Sequence, residues 1–519
     1  MFPRPRLALL CFAGLAFLPA AFAAAPSAAV SASRPNLLVF ISDDESWLER
    51  SAYGWNQVPT PHFDRIARAG ALFNRGYASA PSCAPARASL LTGRNFWELE
   101  QGAFIQAWVP AKFRCLPELL AAAGYHTGFT GKGWGPGVLG APSDRTGNPA
   151  GRAYSARRRP APGPGISVTD YAGNLEAFLE ERPEGQPFWF WVGVTEPHSP
   201  WAEDNHRRLA AETGITPEQL PVPGFLPDTP GLRRARANMM QELRQSDEDL
   251  GRVLAVLERR GELENTLIII TADNGTGMAR AKTNVHDWGI HVPLVMAWPR
   301  GMAGGRVIDD FVNFIDLAPT MLEAAGVPVP AEMSGRSLLP VLVSGRSGRV
   351  DPARGWTAAG LEWHGEEAEL SLAARTIRDE RYQYIVNYSA TPRLRLDPRE
   401  RRPDAEYAAT AAAVDELGLI ARHPEHPAVR AFTELYLAPR PREELYDVQE
   451  DPWQLRNLAA DPALAPVKAR LRGQLEEYQR RTGDPRITGE LRIFDATRAF
   501  VLERKFGAEG YEQRKGRKK

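Results

Sequence analysis

The stretch Asn36-Leu37-Leu38-Val39-Phe40-Ile41-Ser42 runs directly into Asp43-Asp44-Glu45. Such a continuous apolar run is typical of a strand buried on both faces of an α/β sheet. Similar runs lie at 188–194, 266–271 and 293–298, and predicted helices separate them, at 63–69, 116–123, 174–181 and about 233–259. Strands that alternate with helices favour a parallel sheet. We therefore expect an α/β fold built on a large mixed, mostly parallel sheet flanked by helices.

The pattern changes from about Leu372 onward. Residues 376–388 alternate in polarity, which predicts a half-buried antiparallel strand with Tyr382, Tyr384 and Val386 on one face. A charged amphipathic helix is predicted at about 466–481. We interpret 34–371 as the main α/β domain and 372–506 as a smaller C-terminal α+β domain that contains an antiparallel sheet. Residues 507–519 are predicted to be a basic, disordered tail.

The first 23 residues have the pattern of a secretory signal peptide. Arg4 and Arg6 precede an apolar run, and Ala21-Phe22-Ala23 has the small-x-small pattern of a signal-peptide cleavage site. An uncleaved anchor is the alternative, but the run is short for a membrane span. We expect an exported protein, periplasmic or secreted, without stable membrane insertion. The formal net charge of zero gives no bulk electrostatic reason to expect a nucleic-acid partner.

Polar side chains follow three of the predicted strands. Asp43 and Asp44 follow the first, Asp273 and Asn274 follow the strand at 266–271, and His198 comes shortly after the strand at 188–194. Ligands of open α/β sheets bind beyond the carboxyl ends of the strands. Carboxylate and amide oxygens suit Ca²⁺ or Mg²⁺, whereas zinc prefers sulfur and nitrogen ligands. The sequence therefore predicts a hard-cation site at this edge.

The run Ser82-Cys83-Ala84-Pro85-Ala86-Arg87 predicts a helix that begins near a cysteine. Proline is favoured at the first helical position, and the free N–H groups of a helix N-terminus attract an anion. Arg87 adds a fork-shaped cation one turn later. Cys83 and Cys115 remain after removal of the signal, and in an exported chain they could form one disulfide.

Residues 135–165 are rich in Gly, Pro and Arg and show no periodicity. This segment contains five arginines, Arg145, Arg152, Arg157, Arg158 and Arg159. It is predicted to be either a solvated flexible loop or a mobile basic rim that attracts an anionic substrate.

The run Cys83-x-Pro85-x-Arg87, followed by Leu91-Thr92-Gly93, resembles the signature of the type I sulfatases. The resemblance implies an alkaline-phosphatase-like fold and oxidation of Cys83 to formylglycine by a maturation enzyme, which would leave Cys115 as an unpaired thiol. It also implies one Ca²⁺ or Mg²⁺ ion held by position 83 together with Asp43, Asp44, Asp273 and Asn274. The implied catalytic residues are Cys83, Arg87, Lys132, His198 and Lys282.

One position departs from the sulfatase pattern. Gly131-Lys132 is followed by Gly133-Trp134, where the family usually has a histidine that helps to release sulfate. The motif therefore does not identify the base that helps to release sulfate, and His126, His286 or His291 could act as that base.

Within the family, the chain most resembles the heparan sulfamidases. The similar segments are 222–230 and 282–284, together with Trp363-His364 followed by Arg375. The resemblance implies a hydrolase that removes sulfate from a sulfated saccharide during glycosaminoglycan degradation, with His364, Arg375, His286 and Trp134 as candidate substrate-binding residues. Three alternatives stay open: an O-sulfatase acting on another polysaccharide, a phosphonate or phosphodiester hydrolase of the same superfold, and a non-catalytic glycan-binding protein.

Overall fold

The main sheet has seven strands and lies in the part of the chain that this computed structural model describes, residues 34–364, 371–390 and 430–516. The predicted signal peptide lies outside the described residues. In chain order the strands of the protein are β1 (Asn36–Ser42), β2 (Ala71–Phe73), β3 (Gly76–Tyr77), β4 (His126–Gly131), β5 (Phe188–Gly193), β6 (Thr266–Ala272), β7 (Leu294–Ala297), β8 (Arg306–Ile308), β9 (Val312–Asn313), β10 (Trp356–Trp363), β11 (Ser371–Asp379), β12 (Tyr382–Asn387) and β13 (Glu443–Asp447).

The order of the main sheet is β4-β5-β1-β6-β7-β2-β8. Strands β4, β5, β1 and β6 are parallel, and Leu37 of β1 is paired with Trp189 on one side and Leu267 on the other. Strand β7 runs antiparallel to both β6 and β2, while β2 and β8 are parallel. The prediction of a mixed, mostly parallel sheet is therefore confirmed. The short pair β3 and β9 forms a separate two-stranded sheet.

Helices cover both faces of this sheet. The α-helices of the described residues are Pro61–Ala69, Cys83–Thr92, Leu116–Ala122, Tyr171–Glu181, Asn205–Thr213, Pro230–Arg259, Asp287–Ile290, Leu317–Ala324, Leu339–Val343, Arg430–Leu437, Ala465–Arg481, Pro485–Thr488 and Arg492–Gly516. Successive side chains of a strand point to opposite faces. Leu37 and Val39 accordingly lie in the core beside helix Cys83–Thr92, whereas Leu38 and Phe40 lie in the core beside helix Pro230–Arg259.

A second sheet, antiparallel and four-stranded, has the order β10-β11-β12-β13. Residues 376–388, predicted as one strand, belong to two strands of a hairpin that turns at Glu380-Arg381, and both faces are covered rather than one. Helix Ala465–Arg481 packs on one of these faces through Leu471 and Leu475. The first strand, β10, lies before the boundary predicted at 371/372. Both sheets belong to one compact unit that begins at Arg34.

The C-terminal segment also differs from the sequence-based expectation. The segment predicted as a disordered tail is helical as far as Gly516, with a break at Gly507, whose φ is 71°. Among the described residues, no helix is long and apolar enough to cross a bilayer.

Candidate active site

The polar residues that follow β1 and β6 meet at the carboxyl edge of the sheet, because these two strands are parallel neighbours. The backbone N–H of Asp44 donates to Asp273 Oδ1 at 3.1 Å, and Asn274 Nδ2 donates to Asp44 Oδ1 at 2.8 Å. All four side chains, including Asp43, are buried. Asp44 has a φ of 66°, a left-handed conformation that costs a non-glycine residue about 1–3 kcal/mol. The neighbouring contacts therefore hold Asp44 in a strained position.

This donor set fits a hard cation. Ligand atoms of Asp43, Asp44, Cys83 and His198 lie within 4.8 Å of one another. The buried Oδ1 of Asn274 makes no hydrogen bond among the described residues. A buried amide oxygen without a partner is costly unless something else binds it, and carboxylate and amide oxygens are the ligands of Ca²⁺ and Mg²⁺. The sequence placed His198 at this edge as a catalytic residue and not as a metal ligand, and the loop after β5 brings it into this group.

Cys83 is the first residue of helix Cys83–Thr92, and Ser82 before it is extended, with φ −159° and ψ 129°. The helix therefore begins two residues earlier than the proline suggested. Pro85 is tolerated there because N–H groups in the first turn have no intrahelical partner. The sulfur of Cys83 lies 3.5 Å from Asp43 Oδ1 and 4.0 Å from Asp44 Oδ1. This places position 83 against the acidic cluster, at the end of the helix that favours an anion.

Both described cysteines, Cys83 and Cys115, are buried and free, so the disulfide that the sequence allowed is not formed. Burial, with the nearby Asp273 carboxylate, raises the pKa of the Cys83 thiol well above its usual value of 9.0. The thiol therefore stays protonated near neutral pH, and a protonated thiol is a poor nucleophile.

Arg87 ties the helix to two neighbouring segments. Its Nε donates to Asp273 Oδ2 at 2.8 Å, and its Nη1 donates to the carbonyl oxygens of Lys132 and Gly133 at 2.8 and 3.0 Å. The guanidinium also lies 5.7 Å from the ring centroid of Trp191. Arg87 thus holds the acidic cluster and the Lys132 segment in one arrangement.

Two lysines approach the acidic cluster from different elements. Lys132 Nζ donates to Asp43 Oδ2 at 2.5 Å, and Lys282 Nζ donates to Asp44 Oδ2 at 2.8 Å. Burial by itself would raise the pKa of Asp43, but the charge of Lys132, followed by that of His198, lowers it to about 2. The carboxylate is therefore ionised at any physiological pH, and the lysines are placed to balance the negative charge of the pocket.

His198 lies at the rim of the pocket and is partly exposed. Its Nδ1 is 2.5 Å from the carbonyl oxygen of Ser199, while its Nε2 is 3.1 Å from Lys282 Nζ and 3.6 Å from Asp44 Oδ2. A carbonyl can only accept, so Nδ1 carries a proton. Nε2 therefore faces the pocket, where it can exchange a proton with a ligand.

Sequence reasoning missed two residues that position Lys132. Trp191 Nε1 donates to the Lys132 carbonyl at 2.9 Å, and a Cβ added to Gly193 would lie only 1.8 Å from that same oxygen. The signal available in the sequence was the Phe-Trp-Phe-Trp run of β5, because a buried indole N–H usually requires an acceptor.

Trp134 occupies the position where the family usually has a histidine. Its indole N–H donates to the carbonyl of Ala84 at 3.1 Å, beside Cys83, and the ring is buried. Trp134 therefore packs next to the start of the helix, although an indole cannot act as a base.

Two of the three histidines considered as a replacement base lie in structural positions. His126 is stacked on Phe178, with ring centroids 4.4 Å apart. His291 is stacked between Trp47 and Tyr77 and hydrogen-bonds the Asn74 carbonyl, and burial lowers its pKa to about 4.

The candidate substrate residues separate into different environments. His364 Nδ1 is 2.8 Å from Ser82 Oγ, so His364 lies next to the nucleophile position. His286 lies against the second sheet, with its Nε2 3.4 Å from Glu444 Oε2. Arg375 is fully buried and bound to Asp484 and Glu362, which corrects the prediction that it contacts substrate.

The arginines of residues 135–165 are largely engaged with the protein itself. Arg145, Arg152, Arg157 and Arg159 form ion pairs, in that order, with Glu118, Glu181, Glu180 and Asp249. These pairs attach the segment to neighbouring helices, so a mobile basic rim is not supported.

The fold and this arrangement of charged groups form a pocket that suits an anionic group. Residues 35–327 match the sulfatase family model, and residues 280–410 match the model described as N-sulphoglucosamine sulphohydrolase, C-terminal. Because the first match spans more than half of the chain, the protein belongs to the sulfatase family. The prediction of a sulfatase is thereby confirmed.

Two curated relatives cover most of the chain. Human N-sulphoglucosamine sulphohydrolase is 28% identical over 487 residues, which are 87% of this chain and 91% of that protein. An ulvan-active sulfatase of Formosa agariphila is 26% identical over 483 residues, which are 87% of this chain and 76% of that protein.

Solved structures share the fold. A structure described in complex with its substrate, D-glucosamine-2-N,6-O-disulfate, has a TM-score of 0.62 at 20% identity and covers 87% of this chain and 99% of that one. A phosphonate monoester hydrolase of Agrobacterium radiobacter also has a TM-score of 0.62 at 20% identity, with 86% and 96% coverage.

Proposed function

We propose that this sulfatase removes sulfate from a sulfated saccharide in a reaction most like that of a heparan N-sulfatase. The reaction uses formylglycine at position 83 and one Ca²⁺ or Mg²⁺ ion. The observation that carries the proposal is the position of Cys83, which lies at a helix N-terminus, within 4 Å of two carboxylates, in a pocket faced by two lysines.

The residues that would hold the cation are Asp43, Asp44, Asp273 and Asn274, together with the group at position 83. A bound divalent cation would neutralise negative charge and polarise an oxygen at position 83. Asn274 Oδ1 supports this assignment, because it is buried and makes no hydrogen bond among the described residues.

The chain's own cations have separate roles in this proposal. Lys132 and Lys282 bind the non-bridging sulfuryl oxygens and stabilise the charge that develops on them. Arg87 keeps Asp273 and the Lys132 backbone in place. In its doubly protonated form, His198 donates the proton on Nε2 to the departing amine or alcohol, while its Nδ1–H stays bound to the Ser199 carbonyl.

A sulfamate substrate is supported by the human relative, which is named as a sulphohydrolase of N-sulphoglucosamine, and by the C-terminal family match. The ulvan-active relative makes an O-sulfated polysaccharide the alternative. We also propose that the protein is exported, periplasmic or secreted, and matured by a formylglycine-generating enzyme, as the first 23 residues and the Cys83 motif indicate.

The test is to co-express the full chain with a formylglycine-generating enzyme and to measure the mass of the peptide that contains residue 83. Conversion of the thiol to an aldehyde lowers that mass by about 18 Da. Cys83→Ala should retain the fold and lose turnover of sulfated glucosamine, whereas the matched control Cys115→Ala should keep turnover. An unmodified peptide, or full activity of Cys83→Ala, would contradict the proposal.

The same preparation separates the alternatives. Turnover of N-sulfated and O-sulfated glucosamine is compared under identical conditions, and aryl sulfate is compared with aryl phosphonate. Preference for the phosphonate would replace the proposal by the activity of the structurally similar phosphonate monoester hydrolase. Saccharide binding without turnover by the converted protein would support a glycan-binding role.

A further inference from the structure

A cleft with a volume of about 320 Å³ lies beside the start of strand β10, away from the pocket around Cys83. We call it the Arg336 cleft. Its polar and aromatic lining consists mainly of Ser334, Arg336, Arg354, Trp356, Tyr478 and Arg481. This volume is at the lower end of the range of small-molecule sites and is large enough for one sugar unit.

Charged side chains of both signs lie in and around the Arg336 cleft. Three arginines and the carboxylate of Asp316 line it. Asp351 lies just outside, 3.8 Å from Arg336, and Glu98 accepts hydrogen bonds from the lining residue Ser334. Among the described residues, no carboxylate lies within ion-pair distance of Arg481, and this arginine is exposed. Arg481 therefore offers an available positive charge to a ligand with negative charge.

Arg354 is the arginine of the cleft whose guanidinium is held in a fixed position. It is buried, and its guanidinium donates to Asp316 Oδ2 at 2.8 Å and to the Arg336 and Ser337 carbonyls at 2.7 and 2.9 Å. These bonds keep the backbone of Arg336 in place at the edge of the cleft. Arg336 and Arg481 are exposed and can turn toward a ligand.

An aromatic wall lies beside the arginines. Trp356 packs edge-on against Tyr478, with ring centroids 5.2 Å apart, and the Arg481 guanidinium lies 5.3 Å from the Tyr478 ring centroid. Trp356 is partly exposed. An apolar ring beside planar cations suits a sugar that carries an anionic group, since the ring packs on the C–H face while the guanidinium groups bind the anion.

The Arg336 cleft and the reaction site lie at opposite ends of one strand. Strand β10 begins at Trp356, in the cleft, and ends at Trp363, and His364 immediately after it contacts Ser82. Eight strand residues span about 26 Å. A single sugar cannot span this distance, whereas a saccharide of several units is long enough to span it.

We propose that the Arg336 cleft is a second saccharide site, which binds an anionic sugar unit of the same sulfated chain whose end lies in the pocket of Cys83. The inference rests on the proposed function. It predicts that long substrates are held better than short ones by contacts with Arg336, Trp356 and Arg481.

Binding is measured with the full-length Cys83→Ala protein, by calorimetry, with a sulfated decasaccharide and a sulfated disaccharide. Arg336→Ala combined with Arg481→Ala should weaken decasaccharide binding about tenfold or more, because two charge-assisted contacts are lost. Disaccharide binding should stay unchanged. Arg259→Ala is the matched control, because Arg259 is an exposed arginine of helix Pro230–Arg259 that pairs with Glu176. Trp356→Ala provides a second variant that leaves the charge intact.

With the mature enzyme, the arginine double variant should raise KM for the decasaccharide only and leave kcat unchanged. Equal effects on both lengths, or an equal loss with Arg259→Ala, would overturn the proposal. Binding of inorganic sulfate to the cleft as tightly as the decasaccharide would also overturn the proposal. Absence of turnover in the mature wild type would refute the proposed function, whereas the calorimetry still decides whether the cleft binds saccharide.

Discussion

Replacing Arg375 with methionine is expected to destabilise the protein without changing substrate affinity. Arg375 Nε and Nη2 donate to the two oxygens of Asp484 at 2.6 and 2.8 Å, and Nη2 also donates to Glu362 at 2.6 Å. The guanidinium lies 4.9 Å from the ring centroid of Phe96 and 5.2 Å from that of Trp97. Arg375 joins β11 to the β10 strand and to the segment after helix Ala465–Arg481.

The magnitude follows from what the substitution leaves behind. Methionine fills much of the space but leaves two buried carboxylates without their main cation. Removing one partner of a buried ion pair costs about 3–5 kcal/mol. Asp484 retains the Arg486 N–H and the Gln479 amide as donors, and Glu362 retains Arg486, which places the expected loss at the lower end of that range.

The assay is denaturant unfolding of Arg375→Met beside Arg470→Met, a matched control whose partner is Asp379 at the surface. Exposed pairs contribute about 1 kcal/mol or less. Arg375→Met should shift the unfolding midpoint clearly, while the KM of the folded fraction stays at the wild-type value. A stable Arg375→Met protein with a raised KM would refute the reasoning and restore Arg375 as a substrate-binding residue.

Two further changes test the structure. Gly193→Ala should lower kcat by up to about 100-fold, because the new methyl group displaces the Lys132 carbonyl and, with it, the Lys132 ammonium group. The matched control is Gly473→Ala, which lies in open space on a helix and should leave kcat unchanged. Equal kcat values in the two variants would contradict this role of Gly193. Burial raises the pKa of Glu242 from 4.5 to about 8. The unfolded chain therefore loses this proton at a lower pH than the folded protein does, and the free energy of unfolding falls as pH rises from about 4.5 to about 8. Glu242→Gln should therefore gain stability relative to wild type across that window, as measured by thermal unfolding at several pH values, and a constant difference would contradict the shift.

Much of the site could be predicted from sequence because its residues sit where strands end. The apolar runs of β1, β5 and β6 have a local signature, and parallel neighbours bring Asp43, Asp273 and the loop of His198 to one edge. The Cys83 motif is similarly local, since helix entry depends on a few consecutive residues.

Other features could not be predicted, because they depend on contacts between distant segments. Trp191 and Gly193 position Lys132 through a carbonyl about 60 residues away in sequence, a contact that no periodicity reveals. The alternation of 376–388 has the period of a strand but does not show the turn that makes it a hairpin.

The sequence by itself determined the α/β class, the acidic edge of the sheet and the residue at the start of the helix, since strand period and helix entry are local properties. Only the tertiary structure decided that Arg375 is enclosed by two carboxylates while His364, eleven residues earlier, lies beside Ser82. His364 directly follows β10, and Arg375 lies in the adjacent strand β11 of the same sheet. Their surroundings differ because other segments, distant in the chain, pack against each of them.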